Sequence, residues 1–184
     1  MSNPINTCPS CGKKTITFKD EKHWVCSSCS FDLYFNVACS ASVILYDGNS
    51  VLCIKRGRDP GKGLFSLPGG FIDAGETAED ACIRECIEET GIKPGVLEYI
   101  GSFPNTYTYK QITYNTCDFF YCVPFPVKEI KSLKPDDVQE IADFEIITLH
   151  SESDIEAVPA AFNSAKKALG KWFMKHGSKI SSPY

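Results

Sequence analysis

No apolar run in this chain approaches the ~18 residues that a membrane-spanning helix needs, so no membrane span is expected. The opening segment, MSNPINTCPSCG, lacks an apolar stretch of the signal-peptide kind, so the reading is cytoplasmic rather than secreted. Internal repeats and low-complexity tracts are missing too, which excludes solenoid and linker architectures. Positive charge is in short supply. With 19 Lys and Arg against 23 Asp and Glu, the net charge is −4, which argues against nucleic acid as the main partner and leaves a small molecule. What remains is ample for a core: 184 residues, 43% of them hydrophobic. That length supports one full domain with about 35 residues to spare for an appendage. The ten cysteines, in a chain read as cytosolic, point to metal ligation and buried thiols rather than disulfides.

Residues 70–92, GFIDAGETAEDACIRECIEETGI, organise the rest. The second half has the pattern of a short helix, with Thr77 and Asp80 as a capping box and Gly91 as a left-handed stop. At 3.6 residues per turn, Glu88 and Glu89 flank Glu85, so all three carboxylates share one side. Ala78 and Ala81 fall on that side as well and would leave open space beside the acids. Cys82, Ile83, Cys86, Ile87 and Thr90 form the expected core stripe. Arg84, one turn before Glu88, could hold that carboxylate. Acids crowded on one face repel one another. A solvated charged face is the ordinary outcome, but Arg84 is the sole cation within the helix, and Gly69-Gly70 just upstream lets backbone carbonyls approach closely. Clustered oxygen ligands of this kind suit Mg²⁺ or Mn²⁺ bridging to phosphate oxygens.

Gly70, five residues, Glu76, seven residues, then Arg84-Glu85-Cys86-Ile87-Glu88-Glu89-Thr90-Gly91-Ile92 resembles the Nudix box at every fixed position. Cys86 is the soft spot, standing where an aliphatic residue is more usual. The resemblance implies hydrolysis of a nucleoside diphosphate linked to another group, with Glu85, Glu88 and Glu89 as metal ligands. It also implies that Glu76 and Arg84 brace the loop and helix. A carbonyl of Gly69 or Gly70 would complete the Mg²⁺ ligand set.

Cys8 and Cys11, then fourteen intervening residues, then Cys26 and Cys29, make two CxxC knuckles with the spacing of a four-thiolate zinc site. Iron ligation of the rubredoxin kind is the alternative. So small a segment cannot hold itself together by apolar burial, so the metal would supply its folding free energy. Two short ribbon strands and a turn are expected, with Phe31 to Val37 leading out of them. The boundaries are therefore a zinc ribbon over 1–36 and a catalytic domain over 37–184.

Downstream, Cys39 to Tyr46 and Ser50 to Arg56 read as a hairpin around Asp47-Gly48-Asn49. Arg56 to Gly63 is a basic, glycine-rich loop, offered to substrate phosphates or simply exposed. Leu64 to Leu67 is a short strand, Val96 to Phe103 another, followed by Pro104-Asn105, and Cys117 to Phe125 a longer one. Lys128 to Gln139 reads as a loop, Ile141 to Leu149 as a strand, and Ala160 to Lys175 as an amphipathic helix carrying Phe162, Ala165, Leu169 and Phe173. Strands and helices interleave without βαβ regularity, giving an α/β/α sandwich around a mixed sheet, which is also the fold the resemblance implies.

The chemistry requires neutralised phosphates, an oriented water and a proton acceptor. Glu140, just before a strand, is the candidate acid outside the box, and Glu145 the second. Tyr107, Tyr109, Phe35 and Phe65 are aromatic candidates for stacking on a base, with core packing as the alternative for each. Arg56, Gly70 and Tyr107 make up the substrate-binding set.

A four-cysteine ribbon followed by a Nudix domain resembles the NADH pyrophosphatase architecture. The seven residues before Cys8 leave no room for the domain that precedes the ribbon there. The downstream SQPWPFP motif is replaced by Ser102-Phe103-Pro104-Asn105-Thr106-Tyr107, keeping the serine and first proline. A smaller ribbon–Nudix hydrolase acting on ADP-ribose or another ADP-linked compound fits better. Two other classes stay open. One is a non-catalytic metabolite-binding domain, against which stands the intact acid set. The other is an RNA-cap-processing enzyme or adaptor, for which Lys13, Lys14, Lys19, Lys22 and His23 with Phe18 and Trp24 would supply the surface. Ribbons of this kind also serve dimerisation, so a homodimer is among the expected assemblies.

Overall fold

The computed structural model describes residues 5–20, 22–109, 112–127, 130, 133 and 139–177. The chain separates into two compact units, Met1–Val37 and Ala38–Tyr184.

The first unit is a small antiparallel sheet of three strands, β1 (Ile16–Lys19), β2 (His23–Cys26) and β3 (Asp32–Tyr34) in that order. One strand more than expected is present, because Asp32–Tyr34 turns back to pair with β2 instead of leading out. Its core is minute: Cys8, Ile16, Trp24 and Cys26 are its buried apolar residues. Trp24 packs at 4.6 Å from Phe18 and edge-on at 5.5 Å from Phe35, so these rings are spent on the ribbon's own interior.

The second unit is built on one mixed sheet. β4 (Ala38–Asp47) and β5 (Ser50–Arg56) form the expected hairpin, closed by the Asp47–Ser50 pair around Gly48-Asn49. With β8 (Glu98–Tyr109), β9 (Ile112–Pro124) and β10 (Ile141–Thr148) they give the order β10-β5-β4-β9-β8. β4 and β9 run parallel, and the other pairings are antiparallel. Two short strands, β6 (Phe65–Ser66) on β5 and β7 (Gly69–Phe71) on β4, complete it.

Alternation along the strands sends side chains to two faces. Val43, Leu45, Leu52, Tyr121 and Val123 meet α1 (Ala78–Thr90) through Ala81, Cys82 and Cys86. Ile44, Val51, Cys53, Phe120 and Cys122 meet α2 (Glu152–Ala157) and α3 (Asn163–His176) through Ile155, Ala165, Leu169 and Trp172. The result is the α/β/α sandwich.

In this unit three features depart from expectation. Pro104 does not end its strand; β8 continues through it to Tyr109. The sheet edge explains this, since a proline there needs to give up a ladder donor on the open side only. α2 was not foreseen; it is one short helix started by a reciprocal Ser151–Asp154 capping box. Finally, Ala81 is wholly buried and Ile87 is 40% exposed, so the core stripe of α1 lies closer to the acids than the pattern indicated. The small side chain of Ala81 lets the helix sit down on β4 instead of leaving space beside the carboxylates. The loop expected over 128–139 falls mostly outside the described residues.

Candidate active site

α1 begins with Thr77 accepting from the Asp80 amide and ends at Gly91, whose φ of 70° relieves the turn. Between them the helix carries Arg84, Glu85, Glu88 and Glu89. Arg84 grips Glu76 with two bonds, Nε to Oε1 at 2.7 Å and Nη2 to Oε2 at 2.9 Å. Its Nη1 donates to Glu85 at 2.7 Å and to Glu88 at 3.2 Å, and Nη2 also reaches the Phe71 carbonyl at 3.1 Å. One planar guanidinium therefore ties the loop before the helix to two acids on it. The hydrogen bonds from Arg84 hold the Glu76 carboxyl down at about 2.

Gly69 and Gly70 set the helix against the sheet. Gly69 has a φ of 151°, and a Cβ there would lie 2.3 Å from the Ala41 carbonyl oxygen, so no other residue fits. Its amide donates to Glu89 Oε2 at 2.8 Å. A Cβ on Gly70 would stand 2.5 Å from the Glu85 carboxylate. Both acids are thereby pressed against bare backbone. Burial pushes the Glu89 carboxyl up to about 8, opposed by the Gly69 amide, and burial also raises Glu85 against the pull of Arg84. Glu88 is the more open of the three, its side chain 58% exposed.

These groups line a cleft of about 370 Å³. Its other walls come from elements far apart in sequence. Arg56 ends β5 and Arg58 follows in the loop after it, where it forms an ion pair with Glu140. Arg56 donates to the Pro60 carbonyl at 2.7 Å and lies over the Phe162 ring at 5.1 Å. Tyr107 sits between Phe71 and Phe162, with ring centroids 5.3 and 5.9 Å away. On the floor, Asp118 is buried and accepts from Ser40 at 2.8 Å, Asn105 at 2.9 Å and Ser164 at 2.6 Å. Beside it the buried Thr116 hydroxyl finds no partner among the described residues.

The fold therefore gathers Glu85, Glu88, Glu89, Glu140, Arg56, Gly69, Gly70 and Tyr107 around one cleft. Arg84 and Glu76 stand behind the acids. Glu145 lies exposed on β10 opposite Cys53 and does not line the cleft. Phe65 is half-buried against the α3-side core, and Phe35 belongs to the ribbon; neither lines the cleft. Arg58 comes from the basic loop that the sequence offered to phosphates, whereas sequence reasoning missed Asn105, Thr116, Asp118, Phe162 and Ser164. The one available signal was Asp118, a carboxylate inside the otherwise apolar stretch from Cys117 to Phe125.

The donor set fits a hard divalent cation. Carboxylate oxygens crowd together, the Gly70 cradle would be filled by any Cβ, and burial with the neighbouring Glu85 and Glu140 charges outweighs the Gly69 amide and Arg56 at Glu89. Across the cleft, Arg56 and Arg58 present positive charge to an anion.

In the ribbon, the Cys8–Cys29 and Cys11–Cys26 sulfurs are each 3.7 Å apart. Two thiolates on one tetrahedral zinc, each bonded at about 2.3 Å, would be about 3.8 Å apart. A disulfide would need about 2.05 Å, so the thiols are not paired by oxidation. The Thr15 hydroxyl, 3.2 Å from the Cys26 sulfur, holds that thiol down to about 6.

Comparison with known proteins agrees with this geometry. An archaeal protein named ADP-ribose pyrophosphatase, from Methanocaldococcus jannaschii, is 41% identical over 91 residues, half of each chain. A protein named NAD-capped RNA hydrolase NudC, from Haemophilus influenzae, is 37% identical over 105 residues, 54% of this chain and 40% of its own. This chain's match thus spans half or less of the length of these curated relatives. The crystal structure of a NUDIX hydrolase from Nitrosomonas europaea has the same fold, with a TM-score of 0.67 at 19% identity over 98% of this chain and 97% of that one. The NUDIX domain of Shewanella oneidensis NrtR, solved with ADP ribose, matches at 0.56 and 22% identity over 76% and 88%. The family model described as NUDIX domain matches residues 38–173, and the chain belongs to the NUDIX family.

Proposed function

We propose that this chain is a Mg²⁺-dependent hydrolase of the pyrophosphate bond in an ADP-linked compound, with ADP-ribose as its substrate. The observation that carries the reading is the union, in one cleft, of the Glu85, Glu88 and Glu89 carboxylates with two arginines and an aromatic wall. Glu85, Glu88 and Glu89 would hold Mg²⁺ or Mn²⁺, with the Gly69 carbonyl as a further oxygen; the ion would supply charge neutralisation at phosphate and a more acidic water.

The chain's own groups do the rest. The Gly69 amide and the Arg84–Glu76 clamp fix two carboxylates before substrate arrives, so no reorganisation is needed at reaction. Arg56 and Arg58 face the diphosphate as fixed cations. Tyr107, with Phe71 and Phe162, offers ring faces to the base. Thr116 supplies a buried hydroxyl for a substrate polar group. Glu140, engaged by Arg58 at Oε1, takes the proton of the attacking water on its other oxygen. Water oxygen then bonds to one phosphorus while the bridging P–O bond breaks.

For the ribbon, the sulfur spacings support one structural zinc on Cys8, Cys11, Cys26 and Cys29, filling all four positions and leaving none for chemistry. The ribbon over 1–36 and the hydrolase over 37–184 act as separate folding units, the chain works in the cytoplasm, and a homodimer through the ribbon is the assembly to test. Incubation with ADP-ribose and Mg²⁺ should yield AMP and ribose 5-phosphate by chromatography. NADH and an NAD-capped RNA belong in the same screen, the second because relatives named NAD-capped RNA hydrolase NudC match 54% of this chain. Failure to release AMP from ADP-ribose or NADH would remove the proposal.

A further inference from the structure

At the far end of α3 from the cleft, three side chains of different kinds converge. Glu98 opens β8, Cys122 lies near the end of β9, and His176 is the last residue of α3. Their ligand atoms all lie within 4.8 Å of one another. Cys122 is directly opposite Glu98 in the β8–β9 register and four residues beyond Asp118, the cleft's floor. At about 3.3 Å per residue that is about 13 Å along the strand, so these groups are separate from the cleft. None of the three lines it.

The arrangement around the imidazole decides between two chemistries. A thiol–imidazole–acid relay places the thiol on one ring nitrogen and the acid on the other. Here both meet the same nitrogen: His176 Nε2 is 3.7 Å from Cys122 Sγ and 3.4 Å from Glu98 Oε1. Nδ1 is taken up by the Tyr46 hydroxyl at 3.5 Å. That is no relay. It is the geometry of a metal ligand, in which Nε2 joins other donors at one point while Nδ1 is oriented by an outer partner.

We propose that Glu98, Cys122 and His176 form a second transition-metal site, taking Zn²⁺ or an ion of similar borderline softness. A tetrahedral zinc with bonds of about 2.3 Å to sulfur and 2.0–2.1 Å to nitrogen and oxygen sets S···N near 3.5 Å and N···O near 3.3 Å. The observed 3.7 and 3.4 Å already match. One thiolate, one imidazole and one carboxylate also suit zinc better than Mg²⁺, which avoids sulfur. The C-terminal end of α3 adds the negative pole of its helix dipole. Cys122 is fully buried, and Glu98, 40% exposed, opens the site to solvent and leaves the fourth position to water. Lys175, which now ion-pairs with Glu98 Oε1, competes for that carboxylate; its side chain is 56% exposed and can shift to the other oxygen. An ion here would pin the end of α3 to β8 and β9, while the start of the same helix carries Ser164 against Asp118.

The test uses the full chain with its ribbon loaded with zinc, titrated with Co²⁺ in excess Mg²⁺ so that the carboxylate cleft is occupied. One equivalent of Co²⁺ should bind with a thiolate-to-cobalt charge-transfer absorption. Cys122→Ser should abolish that band, His176→Gln should weaken binding at least tenfold, and Tyr46→Phe should weaken it about tenfold. Zn²⁺ should displace the cobalt and raise the melting temperature of the wild type but not of Cys122→Ser. Glu98→Gln, a change at a part-exposed residue, should weaken cobalt binding at least tenfold while keeping the band at saturation, which keeps the test open if Cys122→Ser fails to fold. Absence of a charge-transfer band, or cobalt binding that persists unchanged in the variants, overturns the site.

Discussion

Gly70→Ala tests the cleft with a single methyl group. The added Cβ would lie 2.5 Å from Cδ and Oε1 of Glu85, where ordinary contact begins at 3.4 Å, so the carboxylate must retreat by about 0.9 Å. It is not free to do so cheaply, because Arg84 holds Oε1 at 2.7 Å. Misplacing a reacting constellation by about 1 Å costs about 10²-fold in rate, or about 2.7 kcal/mol of barrier. Stability moves little. Replacing glycine in a permitted conformation stabilises by about 0.4–1 kcal/mol through the unfolded chain, and loosening, without breaking, one partly covered ion pair costs about a similar amount. The expected result is kcat lowered about 100-fold with a raised Mg²⁺ requirement, and a folding free energy within about 1 kcal/mol of wild type. Steady-state kinetics across a Mg²⁺ series, paired with denaturant unfolding, measures both. Activity within threefold of wild type would refute the claim that Glu85 must sit where bare backbone lets it.

Glu89→Gln should abolish turnover yet stabilise the metal-free protein. A carboxyl pushed up to about 8 by burial stays protonated in the fold while the unfolded chain ionises near 4.5, so stability falls as pH rises between those values, by up to about 1.4 kcal/mol per unit. Without Mg²⁺, unfolding curves at pH 5 and 7 should show that slope in wild type and a shallower one in the variant. Glu76 works with the opposite sign: its carboxyl, held at about 2 by Arg84, adds stability above about 4.5 that is lost as pH falls toward 2. Glu76→Gln should therefore be less stable at neutral pH and lose less on acidification, as read by acid titration of the fold. Glu140→Gln should lower kcat far more than KM; a change below threefold would leave Glu140 as a partner of Arg58 alone. Cys26→Ser should release one zinc per chain by elemental analysis and unfold β1 to β3 while the cleft keeps its Mg²⁺-dependent activity. Zinc-free wild type, as purified, would defeat the ribbon assignment.

Much of this was legible because it is local. The capping threonine, the stop at Gly91, the shared side of Glu85, Glu88 and Glu89, and the two CxxC knuckles depend on spacings of a few residues, which backbone geometry converts directly into position. The two-faced sheet followed from alternation and from the Gly48-Asn49 turn. By itself, then, the sequence determined most of the elements, the helix that carries the three carboxylates and the membership of the ribbon cluster.

Only the tertiary structure decided what those elements face. Ala81 proved to be core and Ile87 exposed, because the helix is rotated by its packing on β4, which periodicity cannot resolve between adjacent residues. Pro104 continued a strand because β8 is an edge, a property of sheet order and not of the segment. Asp118 found Ser40, Asn105 and Ser164, up to 78 residues away in sequence, and Arg58 found Glu140 across 82. Glu98, Cys122 and His176 met for the same reason. The period along a helix or strand says which side a residue takes. Which partner waits on that side depends on how strands order themselves and how helices cross them, and that is settled by burial over the whole domain at once.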